Sequence, residues 1–209
     1  MSDNRVYQAL TDHQQAAQGW NMQTVAAELH RWGELFRLQF KLEIPLPALR
    51  LSALRITTLG HYDCGFNRFG LQNEIAISTR HIERCRTEGE WWRVLGTLLH
   101  EHLHLWQQIH GKPGRNNYHN VQFQKHAATF GLIVTAEGYT QYAPDSPFMD
   151  LLRQQGIVVP AIPELTVKPP QRGESKLKKW SCDCTNVRVA IADFRAECLK
   201  CNRLFTRVE

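Results

Sequence analysis

The chain has 209 residues, 43% of them hydrophobic and 22% charged, which supports one sizeable core with a small appendage and excludes disorder throughout. No apolar run approaches the ~20 residues a bilayer crossing needs; residues 130–136 and 156–163 are short, and Pro160 and Pro163 interrupt the second. The formal net charge of +5 is uneven, with 15 Lys/Arg against 14 Asp/Glu in residues 1–160 and 10 against 6 in residues 161–209, so a polyanionic partner is expected for the last quarter.

Residues 1–15 are polar and lack the basic-then-apolar pattern of an export signal, so a cytoplasmic location is expected and a membrane partner is not. Residues 24–40 place Val25, Leu29, Trp32, Leu35, Phe36 and Phe40 at helical spacing before Pro45 and Pro47, which predicts an amphipathic helix. Residues 51–59 and 74–79 read as neighbouring strands around the Gly-, Asn- and Asp-containing stretch 60–73. Residues 91–110 predict a longer helix. Trp91, Leu95, Leu98, Leu105, Trp106 and Ile109 gather on one side, and Arg93, Gly96, Thr97, His100, His104 and Gln107 on the other. Gly111 is placed to end it. A further helix is expected over about 120–130, with Phe123, His126, Ala127 and Phe130 on one face and Gly131 after it, and a shorter one near 146–155. Residues 158–179 carry four prolines and read as a basic linker. Short β-type runs at 187–191 and 204–208 follow.

The chemistry concentrates in H-E-x-x-H, formed by His100, Glu101 and His104. Helical residues four apart project from one face, so both imidazoles can reach a single Zn²⁺ at ~2.0 to 2.1 Å. Glu101, 100° further round, is placed to handle the proton of a water activated there. His102 falls inside the apolar stripe and is expected to be a hydrogen-bonded core residue. A third ligand must come from another segment, and His110, His119, His126 and Glu137 are the candidates. His119 is favoured because the Gly-, Pro- and Asn-containing loop before it lets the chain reverse; His126 is the fallback.

Six cysteines are present, and four of them form two close pairs, Cys182/Cys184 and Cys198/Cys201, separated by thirteen residues. In a reducing compartment this pattern predicts a closed tetrathiolate zinc site with Zn–S distances of ~2.3 Å, a hairpin folding one pair over the other. A redox pair or disulfides are the alternatives. Cys64 and Cys85 read as core or surface residues. Lys176, Lys178, Lys179, Arg188, Arg195, Lys200, Arg203 and Arg207 surround Trp180. Either they track a phosphate backbone while Trp180 stacks a base, or Trp180 packs into the small domain and the basic residues are solvated.

The segment L-L-H-E-H-L-H-L-W (98–106), followed by Y-H-N-V-Q-F (118–123), resembles the SprT-like metallopeptidases, relatives of the Spartan DNA-protein crosslink proteases. Their third zinc histidine lies in an H-G-x-x-F-like segment that His119 and Phe123 match, with Asn120 where that family has glycine. Residues 74–79 resemble the strand preceding the active helix, and 180–208 resembles the zinc ribbon that ends bacterial members. The resemblance implies an α+β fold. A zincin-like SprT catalytic domain of helices on a small β-sheet (1–157) is joined by the proline-rich linker (158–179) to a small β zinc ribbon with four cysteine ligands (180–209). It implies a catalytic zinc on His100, His104 and His119, a structural zinc on Cys182, Cys184, Cys198 and Cys201, and Glu101 as general base. The oxyanion stabiliser is not legible in the sequence, where Tyr118 and Arg93 are the candidates. The implied substrates are DNA-associated or DNA-crosslinked proteins, with single- or double-stranded DNA held by the linker and ribbon. Two other readings stand beside it: a non-catalytic zinc-containing DNA-binding or regulatory protein, and a general cytoplasmic peptidase without a nucleic-acid partner.

Overall fold

In the computed structural model, which describes residues 4–161 and 177–208, the polar start of the chain forms a helix, α1 (Asn4–Ala16). Its apolar pattern is too thin to announce it, and tertiary hydrogen bonds hold it instead. The Tyr7 hydroxyl donates to the Gln72 carbonyl and accepts from the Gln72 N–H, both at 2.8 Å. Gln14 donates to the Leu49 carbonyl at 2.9 Å. The expected first amphipathic helix follows as α2 (Gln23–Gln39), burying Val25, Leu29, Trp32 and Phe36.

Three strands come next: β1 (Ala48–Ser52), β2 (Gly60–Asp63) and β3 (Glu74–Ser78). They form one sheet in the order β1-β3-β2. β1 runs parallel to β3, pairing Ala48 with Glu74 and Ser52 with Ser78, and β2 runs antiparallel, pairing Gly60 with Ile77 and Asp63 with Glu74. Every β3 residue is buried, as expected of a central strand. The strand expected at 51–59 begins and ends earlier. Residues 53–59 turn instead, with the Thr58 N–H bonded to the Arg55 carbonyl and Ile56 left exposed. The stretch 60–73 contains β2, an edge strand whose apolar content is essentially Tyr62.

Helix α3 (Thr79–Thr87) leads into α4 (Trp91–His110), which buries fourteen of its twenty residues. Both of its sides are covered, so the polar side opposite the apolar stripe is a buried face as well, while Ile109 at the end of that stripe is exposed. Gly111 terminates α4 in an extended conformation, not a left-handed one. A 3-10 turn (Arg115–Asn117) precedes α5 (Val121–Thr129), and the hairpin β4 (Leu132–Val134) and β5 (Thr140–Tyr142) and α6 (Pro147–Gln154) complete this part. Its core joins α2, α4, β3, α5 and α6, with Trp32, Phe36, Phe123 and Phe148 among the largest fully buried side chains.

The chain divides into two compact units, Met1–Thr166 and Val167–Glu209. Residues 162–176 of the expected linker lie outside the described residues, while Lys178 and Lys179 belong to strand β6 (Lys178–Ser181). In the second unit β6 lies between β7 (Asn186–Val189) and β10 (Thr206–Arg207), and β8 (Glu197–Cys198) pairs with β9 (Arg203–Leu204). The molecule is an α+β protein. Among the described residues no helix is long and apolar enough to cross a membrane.

Candidate metal centres

Helical geometry brings His100 and His104 to the same side of α4, and the chain reversal after Gly111 returns His119 to them. The three Nε2 atoms lie 3.2 Å (His100–His104), 2.9 Å (His100–His119) and 3.1 Å (His104–His119) apart. Three nitrogens around one tetrahedral Zn²⁺ would stand about 3.3 Å apart, so the cluster has the size of a first coordination sphere. Burial lowers His100 to about 3 and His104 to about 2, and lowers His119 as well. All three rings are therefore neutral near pH 7 and offer lone pairs, as a cation requires.

The supports of this cluster come from several elements. Phe123 of α5 stacks on the His104 ring at 4.2 Å between centroids. Asn120 is the N-cap of α5. Its Oδ1 accepts the Phe123 N–H at 3.1 Å and the Gln107 amide at 2.8 Å. Its φ of −69° needs no glycine, and the asparagine side chain caps the helix and ties it to α4. Gln124 donates to the His119 carbonyl at 2.6 Å. Thr140 Oγ1 lies 3.2 Å from His100 Nδ1, and His119 donates to the Ala136 carbonyl.

Glu101 is buried beside the cluster under β2. Desolvation pushes its carboxyl up to about 8, although the Tyr62 backbone N–H bonded to it acts in the opposite direction. The same strand residue offers its carbonyl to Asn117 Nδ2 at 2.6 Å. Tyr62 thus links the buried carboxyl to the segment that delivers His119.

The other candidates lie elsewhere. His102 is a core residue as expected, 2% exposed, with Nδ1 2.8 Å from the Leu98 carbonyl and its ring edge-on to Phe36. His110 Nε2 is 2.6 Å from the Glu43 carbonyl. His126 stacks on Trp106 at 3.5 Å, and Glu137 is exposed in the β4–β5 turn. Arg93 is engaged by Glu90 at 2.8 Å and lies over the Trp92 ring. Tyr118 is exposed beside His119. Sequence reasoning missed Tyr62, Asn117 and Thr140, which act through backbone groups or single hydrogen bonds and leave no spacing pattern. Asn120 alone had a legible signal, that of an N-cap.

In the second unit the sulfurs of Cys182, Cys184, Cys198 and Cys201 lie within 4.8 Å of one another. Cys184 Sγ is 3.4 Å from Cys182 Sγ, 3.5 Å from Cys198 Sγ and 3.4 Å from Cys201 Sγ, close to the about 3.8 Å edge of a tetrahedral zinc–thiolate site. Each pair occupies the turn of its own hairpin, β6–β7 and β8–β9, where a single hairpin between the pairs was expected. Asp183 and Asn202 take positive φ in these turns, which their short polar side chains tolerate. Backbone N–H groups of Lys200 and Cys201 hold the Cys198 thiol down to about 6, while the sulfurs of Cys182, Cys201 and Cys198 push Cys184 up to about 12. A divalent cation would take the place of the protons these sulfurs otherwise share.

Trp180 is buried, with Phe194 packed at 5.6 Å. It belongs to the interior of the small unit and is not an exposed stacking platform. Cys64 is exposed and Cys85 buried, each apart from the cluster. Both the four-cysteine group and the three-histidine group can hold a metal ion. No family model, curated protein or solved structure matches this chain.

Proposed function

We propose that this chain is a zinc-dependent endopeptidase of the SprT-like kind, acting on DNA-associated or DNA-crosslinked proteins. The observation that carries the reading is the convergence of three imidazole Nε2 atoms within 3.2 Å of one another, with a buried carboxyl from the residue after the first ligand. His100, His104 and His119 would hold the catalytic zinc, and Cys182, Cys184, Cys198 and Cys201 the structural one. When bound, the catalytic zinc supplies Lewis acidity, polarising a peptide carbonyl and lowering the pKa of a water to about 7. Glu101 would be held ionised against its desolvation if a cation occupied the three histidines. Glu101 then takes the proton of the attacking water and returns it to the departing amine. The Tyr62 N–H orients that carboxylate.

The tests are metal analysis of the purified chain and cleavage of casein or histone with and without DNA. Two zinc ions per chain and DNA-stimulated cleavage are expected. Glu101→Gln should retain both ions and lose at least about 10²-fold in kcat/KM; undiminished cleavage by that variant removes Glu101 from the mechanism. The nucleic-acid part of the proposal rests on the family resemblance and on the basic excess of residues 161–209, since buried Trp180 withdraws the stacking argument. Salt-dependent DNA binding by the full chain is expected to weaken when residues 161–209 are removed. Cleavage without DNA affinity in either form points to the general peptidase, and DNA binding without cleavage to the regulatory protein.

A further inference from the structure

We propose that the β4–β5 hairpin orients two of the three imidazoles, with Thr140 as the positioning residue for His100: its hydroxyl oxygen accepts the Nδ1 proton of His100 and so directs the Nε2 lone pair at the metal position. This rests on the metal-site reading above and extends it to an element whose Thr140 lies forty residues after His100 in the chain. A neutral imidazole carries one proton on either of its nitrogens, and only the Nδ1–H form leaves Nε2 free to ligate. Thr140 Oγ1, 3.2 Å from His100 Nδ1, is placed to accept the proton of that form, with its own hydroxyl hydrogen turned away from the ring.

The same hairpin sets His119. Its Nε2 faces the other two rings, so Nδ1 is the donor to the Ala136 carbonyl. Gly138, at φ +92°, lies against this ring, and a Cβ there would come within 2.8 Å of His119 Cε1. The turn itself is closed by hydrogen bonds from the Thr135 N–H to the Tyr139 carbonyl at 2.9 Å and from the Gly138 N–H to the Thr135 carbonyl at 3.0 Å. Pairing of Val134 with Thr140 and Leu132 with Tyr142 fixes its register. His104 is held differently, by stacking on Phe123. The hairpin therefore supplies two hydrogen-bond acceptors and one close backbone approach to a site whose ligands all lie elsewhere in the chain. Partners of this kind are typically worth about 10- to 100-fold in metal affinity.

The experiment uses the full chain. Zn²⁺ affinity is measured by competition with a chromophoric chelator, and Co²⁺ substitution separates the thiolate site, with its sulfur-to-metal absorption, from the imidazole site. Thr140→Val keeps the β-branched shape and loses the acceptor; it should lower affinity at the imidazole site about 10- to 100-fold and leave the cysteine site unchanged. Thr140→Ser should restore the affinity to within a few fold, which a packing role for the threonine methyl would not do. Gly138→Ala should weaken the imidazole site as well. In the metal-free wild-type chain, ¹⁵N spectra of the histidine rings should place the His100 proton on Nδ1, a readout that requires no variant to fold. Unchanged affinity in Thr140→Val, or a proton on Nε2, overturns this inference alone. A wild-type chain that takes metal only at its cysteines overturns the metallopeptidase reading and this inference with it.

Discussion

Gly60 shows how closely the edge strand is laid on the helix that carries the histidines. A Cβ at this position would meet Thr97 Cγ2 at 2.7 Å and Glu101 Oε1 at 2.9 Å, so any side chain pushes β2 off α4 or displaces the carboxyl. Gly60→Ala should destabilise the fold by about 1–3 kcal/mol, the usual cost of overpacking, in a urea titration. It should also lower the proposed peptidase activity by more than the loss of folded protein explains, because the Tyr62 N–H would no longer meet Glu101; full activity at normal stability would contradict this packing. Phe123 has a comparable role among the rings, fully buried and stacked on His104. At this scale the sequence was informative where chemistry has a spacing rule. His100, Glu101 and His104 were legible because helical periodicity alone groups them, and His102 was legible as a core residue by the same rule. Tyr62 was not, because it acts through its backbone, and a backbone N–H is the same in nearly every residue type.

Among the elements, α4 and α5 were readable and β2 was not. α4 carries a dense periodic pattern of leucines and α5 begins with a capping asparagine, whereas β2 has little of its own and is held by its pairing with β3 and by the bonds of Glu101 and Asn117 to Tyr62. The N-terminus of α5 is the junction on which the third histidine depends. Asn120→Ala removes the cap, worth about 1 kcal/mol, and leaves the buried amide of Gln107 with one acceptor fewer, a further ~1–3 kcal/mol. Differential scanning calorimetry should register the combined loss as a lower Tm. Asn120→Asp keeps the acceptor oxygen for Phe123 and Gln107 and replaces the donor to the Lys112 carbonyl by a second acceptor at an exposed position, which that carbonyl can turn away from, so it should cost less; equal losses in the two variants would place the effect outside the cap. The helix α1 shows the reverse relation, a segment with weak apolar periodicity that becomes helical because Tyr7 and Gln14 find partners in the β2–β3 connection and in β1.

For the whole molecule, the two units should respond differently to chelation and acid. Residues 177–208 bury few apolar side chains, chiefly Trp180, Cys182 and Cys198, so metal at the four cysteines would supply most of the folding free energy there. Chelation should expose this segment to proteolysis while the larger unit keeps a cooperative unfolding transition; persistent protection after complete metal removal would exclude a structural role for the ion. In the larger unit, burial lowers His30 and His81 to about 4 each. Both are neutral when folded and gain protons more readily when unfolded, so their stabilising contribution is fully present above about pH 6.5 and is lost as pH falls toward 4. Unfolding free energies measured across that interval should decline on acidification, more steeply in the wild type than in His30→Gln or His81→Gln; a flat profile would show that the two rings are not protected from protonation. By itself the sequence determined that helices and strands are mixed, which helix bears H-E-x-x-H and that the cysteines form two close pairs, because periodicity and ligand spacing are local properties of the chain. Only the tertiary structure decided that His119, and not His110 or His126, joins the pair on α4, that Glu101 lies buried under Tyr62, and that the β4–β5 hairpin reaches the imidazoles. Those relations depend on where loops return the chain, and a loop's path is set by the surfaces it packs against rather than by its own residues.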